Sequence, residues 1–196
     1  NNPYFEMLGD DIDIRSDVPL YNIYKNGNLI SSTRNIKEYW NDNFIAFAIG
    51  CSFSFEDALL NAGLEIDHIT NNKVVPMYRT NIKNKKSGPF NSKMVVSMRI
   101  FNKKDIKKVN QVSGNFSFAH GDPIHNGDPM EIGIKDILSP DWGDSPRTKN
   151  NDEEYIFWAC GVTPQNAIIE AKIPFCITHT PGHMLITDIS ENSLHN

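Results

Sequence analysis

Long apolar runs, internal repeats and an excess of positive charge are all missing from this 196-residue chain. No uninterrupted apolar stretch approaches the roughly 20 residues that cross a bilayer, so the sequence argues against a membrane role. The 19 basic and 24 acidic side chains give a formal net charge of −5. Because nucleic-acid phosphates attract basic surfaces, this balance argues against a nucleic-acid partner. A small-molecule partner is therefore favoured.

Cysteine is also scarce. Cys51, Cys160 and Cys176 are an odd number and lack the spacing of a disulfide or zinc framework. Reduced thiols of this kind commonly serve as small core residues. We therefore predict a reducing compartment, the cytoplasm, with the mitochondrial matrix as the alternative. The opening residues carry no secretory leader pattern, and Asn1 is typical of a start in the middle of a longer protein.

Local patterns predict strands and helices at both ends of the chain. The turn dipeptide Asn26-Gly27 between two apolar runs predicts a β-hairpin, because it tolerates positive φ angles. The continuous apolar run at residues 44 to 50 predicts a fully buried strand. Residues 154 to 160 predict a second strand, followed by a helix from Pro164 to Lys172. Such alternation is typical of an α/β sheet.

The middle of the chain is different, because residues 118 to 144 contain many glycines and prolines and predict a long irregular loop. We predict an α/β protein of mixed α+β character. Residues 1–68 and 151–196 are expected to form a three-layer α/β sandwich, and residues 69–150 an inserted α+β subdomain. The cleft between these two parts is the default ligand site.

Two strand ends have similar sequences. One apolar run ends at Gly50 and Cys51, and another ends at Cys160 and Gly161, just before Thr163, which can cap a helix. Free backbone N–H groups at such turns attract anions and stabilise thiolates. The two turns therefore predict one polar site. The need for a small residue in a tight turn explains Cys51 at least as well, and it is the favoured explanation for Cys160.

Two histidine pairs add groups that titrate near neutrality, His120 with His125 and His179 with His183. A proline and a glycine within the second pair exclude the helical zinc-protease arrangement. Each histidine alone fits an ordinary loop position, but the four together favour proton transfer. The same residues leave open a divalent cation held by His125, Asp128 and His183.

Arg79 follows a strand-like segment, and its planar guanidinium can bind a substrate carboxylate through two hydrogen bonds. Thr80 and Asn81 provide polar groups beside it. A structural ion pair is the alternative for Arg79. Trp142 lies in the loop rich in glycine and proline, where it can cover a ligand or anchor the loop.

Six blocks of the sequence resemble, in the same order, the hydro-lyase family that includes D-glutamate cyclase. They are Gly50–Glu56, Val75–Ile82, Met94–Arg99, Pro140–Asp144, Trp158–Gln165 and Thr178–Met184. The resemblance implies a two-part α/β fold, conversion of D-glutamate to 5-oxo-D-proline with loss of water, and an N-terminal segment that this chain does not include. Local departures from the family pattern occur at Asp122, Ser92-Lys93 and Ile100.

The residues suit that reaction, because an amine must lose a proton, attack a carboxyl carbon and release water. The predicted catalytic groups are His120, His125, His179, His183 and Cys51. The predicted substrate-binding groups are Arg79, Thr80, Asn81, Asp128, Cys160, Thr163, Gln165 and Trp142. A hydro-lyase acting on a hydroxy acid and a non-catalytic carboxylate sensor are the alternatives. The oligomeric state stays open, a homo-oligomer included.

Overall fold

The computed structural model describes residues 2–190. Within them the chain forms two antiparallel sheets and several short helices, which confirms the mixed α+β class. The strands are β1 (Tyr21–Lys25), β2 (Asn28–Thr33), β3 (Met77–Lys83), β4 (Lys93–Asn102), β5 (His125–Asn126), β6 (Glu153–Ala159) and β7 (Phe175–His179). The helices are α1 (Glu56–Asn61), α2 (Asp67–Thr70), α3 (Ile106–Gly114) and α4 (Thr163–Glu170), with 3-10 turns at Ser52–Phe55, Lys103–Asp105, Ser117–Ala119 and Pro129–Ile132.

The smaller sheet has the order β2-β1-β7 and contains the predicted hairpin. Lys25 pairs with Asn28 across the two-residue turn, where Asn26 and Gly27 have φ angles of 49° and 77°. These are the positive angles that a type I′ turn requires, so the hairpin prediction is confirmed.

The larger sheet has the order β3-β4-β6-β5, and its two faces are covered differently. Side chains alternate between faces along a strand. From β4, Val95 and Phe101 pack with the helices on one face, while Val96 and Met98 pack under the loop after β5 on the other. We call these the helix face and the loop face. Which face a residue occupies decides which side chains it meets.

Residues 44 to 50 form no strand, so that prediction is wrong. Ile45, Phe47 and Ile49 are 76%, 81% and 55% exposed. A continuous apolar run indicates burial, but it does not identify the neighbour that would cover it. Between residues 2 and 190 no strand pairs with this segment.

One strand pairing bears on the predicted division of the chain into a sandwich and an inserted subdomain. β4 lies within the predicted subdomain of residues 69–150 and β6 within the predicted sandwich, yet the two pair along most of their length, from Val96 with Ala159 to Asn102 with Glu153. The domain boundaries stay a prediction. None of the helices in the described part of the chain is long and apolar enough to cross a membrane.

Candidate active site

The turn at Gly50-Cys51 and the turn at Cys160-Gly161, the two Gly–Cys turns, lie next to each other in space. A side-chain carbon placed on Gly161 would lie 3.8 Å from the carbonyl oxygen of Gly50. Cys51 is partly exposed and immediately precedes the 3-10 turn Ser52–Phe55, while Cys160 is buried directly after β6. Segments more than one hundred residues apart in sequence therefore share one location at the end of β6.

Gly50 is required there by close backbone contact. A side-chain carbon at this position would lie only 1.8 Å from the backbone oxygen of Phe118, well inside any tolerable contact. The absence of a side chain lets the 3-10 turn Ser117–Ala119 pack directly against the Gly50 backbone. This packing brings His120, the next residue, to the same site.

His120 has three unusual properties. Its φ angle of 78° lies in the left-handed region, which is uncommon for a residue with a side chain. Its Nε2 atom is buried without a hydrogen-bond partner. Burial lowers the pKa of His120, an effect opposed by the Gly50 carbonyl and reinforced by the positive charge of Arg99. The ring is therefore neutral near pH 7 and carries a buried nitrogen that no protein group occupies.

The two thiols lie against backbone N–H groups. The N–H groups of Phe53 and Ser52 face the Cys51 sulfur, and that of Val162 faces the Cys160 sulfur. Burial nevertheless dominates: it raises the pKa of Cys51 and raises that of Cys160 to about 11. Both sulfurs are thus protonated at neutral pH, and they mark a place where amide donors converge.

A buried arginine lies next to these groups. Arg99, on the helix face of β4, is only 2% exposed. Its Nε donates to Glu56 Oε1 at 2.8 Å, and its Nη2 also donates to that atom. Hydrogen bonds of 3.1 and 3.2 Å run from its Nη1 and Nη2 to the hydroxyls of Ser97 and Ser52. The Arg99 charge is therefore compensated and fixed.

Glu56 is the anionic partner and is 5% exposed. Burial by itself would raise the pKa of Glu56, but Arg99 and His68 together outweigh it and hold the pKa below its ordinary value. His68 Nε2 lies 3.2 Å from Glu56 Oε1, outside hydrogen-bond geometry. Glu56 is therefore ionised at neutral pH and balances the charge of Arg99 inside the protein.

Arg79 lies on the helix face too, since it pairs with Val95 in the sheet. Asp141 accepts hydrogen bonds from its backbone N–H, at 2.7 Å, and from its guanidinium. Trp142 stacks under the guanidinium at 4.3 Å, and Arg79 Nε donates to Asn166 Oδ1. The side chain is 47% exposed, so Arg79 is held in position and remains open to solvent.

Helix α4 connects the site to the smaller sheet. At its first residue, Thr163 Oγ1 accepts from the Val95 N–H and donates to the Val95 carbonyl. Gln165 Nε2 donates to the His179 carbonyl at 3.0 Å. Burial lowers the pKa of His179, helped by nearby His183. The second histidine pair therefore lies beyond α4, and Nδ1 of the exposed His183 is 3.3 Å from the Pro181 carbonyl oxygen.

The first histidine pair is divided by the sheet. His125 pairs with Phe157 and its ring packs against that side chain, which places it on the loop face. His125 Nε2 donates to the Asp128 backbone carbonyl, and the Asp128 carboxylate accepts from the Met130 N–H. His120 is on the other face, with the Cys51 turn.

The remaining predicted groups make hydrogen bonds within the fold. Thr80 Oγ1 donates to the Met94 carbonyl, and Asn81 Nδ2 donates to the Glu131 carbonyl. In the described part of the chain, no group of three or more His, Cys, Asp or Glu side chains is placed to hold a metal ion. His125, Asp128 and His183 do not come together in such a group, and the Asp128 carboxylate caps a 3-10 turn, so a metal requirement stays a prediction.

Comparison with known proteins identifies the family. The family model described as D-glutamate cyclase matches residues 45–188. These include both Gly–Cys turns and the set of Arg99, Glu56, Ser97 and Ser52, which we call the Arg99 cluster. The chain belongs to the D-glutamate cyclase family. The resemblance predicted from six sequence blocks is thereby confirmed.

Three similar bacterial relatives are each named "Putative hydro-lyase". The relative from Pelagibacter ubique is 52% identical over 193 residues, covering 98% of this chain and 74% of its own length. That from Dinoroseobacter shibae is 51% identical over 192 residues, covering 98% and 64%. That from Burkholderia multivorans is 51% identical over 189 residues, covering 96% and 72%. The chain thus spans 64% to 74% of these relatives.

The Arg99 cluster is the part of the candidate site that sequence reasoning missed. Ser97 and Arg99 alternate with Val96, Met98 and Ile100 along β4, so the strand has a polar stripe on one face. An arginine in the middle of a central, apolar strand is rarely buried without a partner. That signal identifies Arg99 as unusual, although it does not identify Glu56 as the partner.

Proposed function

We propose that this chain carries the active site of a hydro-lyase for a small carboxylic acid, with cyclisation of D-glutamate to 5-oxo-D-proline as the reaction to test first. Family membership supports the reaction class, and the helix face of the larger sheet supports the location. There, His120, Arg99 and the turns at Gly50 and Gly161 lie together.

The observation that carries the proposal is the unpartnered Nε2 of His120. A buried polar atom without a hydrogen bond costs about 1–3 kcal/mol, and a left-handed φ adds about 1–3 kcal/mol of strain. Costs of this kind are typical of functional sites. A substrate N–H or O–H at Nε2 would remove the first cost. Because the ring is neutral near pH 7, it is able to accept a proton there.

In the proposed reaction, His120 moves protons from nitrogen to oxygen. The substrate ammonium loses a proton, and the free amine attacks the side-chain carboxyl carbon to form a tetrahedral centre. Of the three ammonium protons, one stays on the lactam nitrogen and two leave with the expelled oxygen as water. His120 transfers these protons one at a time and ends in its starting form.

The tetrahedral centre carries negative charge on oxygen, and we assign its stabilisation to the amide donors at the two turns. These are the N–H groups of Ser52, Phe53 and Val162, which converge near the Cys51 and Cys160 sulfurs. Loss of one such donor lowers the turnover of other enzymes by about 100- to 1,000-fold.

We propose Arg79 as the group that binds the substrate α-carboxylate. Its guanidinium lies on the same face of the sheet, is held by Asp141 and Trp142, and is half exposed. A prepositioned guanidinium loses little conformational entropy when a carboxylate arrives. Replacing Arg79 by Lys is expected to raise KM more than it lowers kcat, because the charge remains and the planar geometry is lost.

Cys51 is proposed as a neighbour of the reacting atoms and not as the nucleophile, because its thiol is protonated at neutral pH. Cys51→Ala and Cys51→Ser are each expected to retain turnover within about tenfold. Loss of activity in both variants would favour a thioester route through Cys51 instead.

The test is incubation of the purified chain with D-glutamate, L-glutamate and related dicarboxylates, followed by mass spectrometry for a product that has lost one water. His120→Asn and His125→Asn form a matched pair, because the sheet places the two rings on opposite faces. We expect turnover by the chain and by His125→Asn, and a loss of at least about 100-fold in His120→Asn.

Two further arms of this experiment separate the alternatives. Binding of a dicarboxylate in calorimetry without any water-loss product would refute the enzymatic proposal in favour of a sensor. Turnover that persists after treatment with a chelator is expected, since no step of the proposal passes through a metal. Turnover that is lost with the chelator and restored by a divalent ion would contradict this mechanism.

A further inference from the structure

We infer that the buried Arg99–Glu56 pair is a positioning device that holds the Gly50–Cys51–Ser52 turn in the geometry needed at the active site. The inference rests on the proposed function only for what the turn does. The attachment of the turn to β4 is read from contacts that do not depend on the substrate.

Arg99 reaches both ends of the 3-10 turn that follows Cys51. At the first residue, Ser52 Oγ accepts from Arg99 Nη2 at 3.2 Å and lies 3.3 Å from Ser97 Oγ. Phe55 at the last residue has its ring 5.0 Å from the guanidinium carbon, and Glu56 at the start of α1 carries the ion pair. One side chain on a central strand thus contacts both ends of the turn.

Nothing in the proposed chemistry requires a buried ion pair in itself. Replacing such a pair by apolar residues is often neutral or stabilising, so its presence is weak evidence for stability. Here the guanidinium donates to Ser52 at the start of the turn and to Glu56 directly after it, and it lies over the ring of Phe55 at the end of the turn. That arrangement suits precise placement of backbone N–H groups better than general stabilisation.

Cys51 reports the state of the turn without requiring turnover. Burial raises the pKa of its thiol; the N–H groups of Phe53 and Ser52 and the charge of Arg99 oppose the rise, whereas the charge of Glu56 adds to it. The charged or titratable groups around it are Arg99 from β4, Glu56 from α1, Cys160 after β6, and His120, which lies against Gly50. Removal of the Arg99 charge and removal of the Glu56 charge therefore shift the pKa of the Cys51 thiol in opposite directions.

The experiment is alkylation of the intact chain with iodoacetamide across neutral and alkaline pH, with the extent at each cysteine read by mass spectrometry. Arg99→Met removes a positive charge and is expected to raise the apparent pKa of Cys51. Glu56→Gln removes a negative charge and is expected to lower it. A one-unit change in pKa alters the thiolate fraction about tenfold, and the rate by about threefold after the compensating change in nucleophilicity.

Cys176 is the internal control. It lies in β7, and its raised pKa results from burial, offset by a contact with Ile177. Its alkylation is expected to be unchanged in both variants. Unchanged alkylation of Cys51 in both Arg99→Met and Glu56→Gln would overturn the inference, because a pair that holds the turn cannot be broken without altering the surroundings of Cys51.

Ser52→Ala covers the case in which Arg99→Met does not fold. It removes only the hydroxyl that ties the turn to Arg99, and we expect it to accelerate Cys51 alkylation several-fold by opening the turn. An unchanged rate would overturn the inference. A chain that shows these shifts but never converts D-glutamate would refute the proposed function alone, whereas turnover without them would refute the positioning role alone.

Discussion

The Arg99–Glu56 pair gives the sharpest stability prediction, because both partners are almost completely buried. The Arg99 side chain is fully shielded from solvent, and that of Glu56 is 6% exposed. Removing one partner leaves an uncompensated buried charge, which costs about 3–5 kcal/mol. In a protein of about 150–250 residues, each kcal/mol lowers the melting temperature by about 2–4 °C. Arg99→Met and Glu56→Gln are each expected to melt about 6–20 °C lower.

The two changes together should cost less than their sum, because the double variant leaves no unpaired charge. We expect a coupling free energy of at least about 2 kcal/mol in a double-mutant cycle. The assay is urea unfolding followed by tryptophan fluorescence, to which the buried Trp158 contributes with its ring 5.2 Å from the Arg99 guanidinium, with circular dichroism as a second probe. The Arg15–Asp13 pair, which is more exposed, is the matched comparison and should give a smaller coupling.

Additive losses within about 0.5 kcal/mol would refute this reasoning, because they would mean that the two side chains do not compensate each other in the folded state. A double variant as stable as the original protein would agree with it.

Three further predictions concern pH and backbone space. The pKa of Glu56 is lower in the folded than in the unfolded state, so ionised Glu56 stabilises the folded protein above the unfolded-state pKa. This stabilisation is lost as the pH falls through the folded-state pKa. Acid unfolding of Glu56→Gln should therefore depend less on pH than that of the original protein. The pKa of His120 is lowered from 6.5, so turnover should be constant near neutrality and fall only below pH 6.5; a fall that begins above it would contradict the assignment. Gly50→Ala should destabilise the chain by several kcal/mol through contact with the Phe118 oxygen, whereas unchanged melting would contradict that packing.

Features of the fold that are decided by residues adjacent in sequence could be predicted. The hairpin at Asn26-Gly27 requires two positive φ angles, which its residues favour, and helix α4 follows a proline suited to its first turn. The prediction of a buried strand at residues 44 to 50 was wrong, because burial requires another part of the fold to cover the segment. The periodicity of an isolated segment does not contain that information.

The candidate site shows the same division. The two Gly–Cys turns could be predicted to form one site, and they do meet, although only the second of them follows a strand. The partner of Arg99 could not be predicted, because Glu56 is 43 residues away and pairs through the tertiary fold. The separation of His120 from His125 also depends on the sheet, since only the pairing of β5 with β6 decides that His125 occupies the loop face.

The central claim, that His120 contacts the reacting acid on the helix face, is tested most directly by histidine NMR during a titration with 5-oxo-D-proline. The account predicts that the ring resonances of His120 shift with added ligand, because Nε2 gains its missing partner, while those of His125 stay in place. Shifts at His125 or His183 with an unmoved His120 would contradict it.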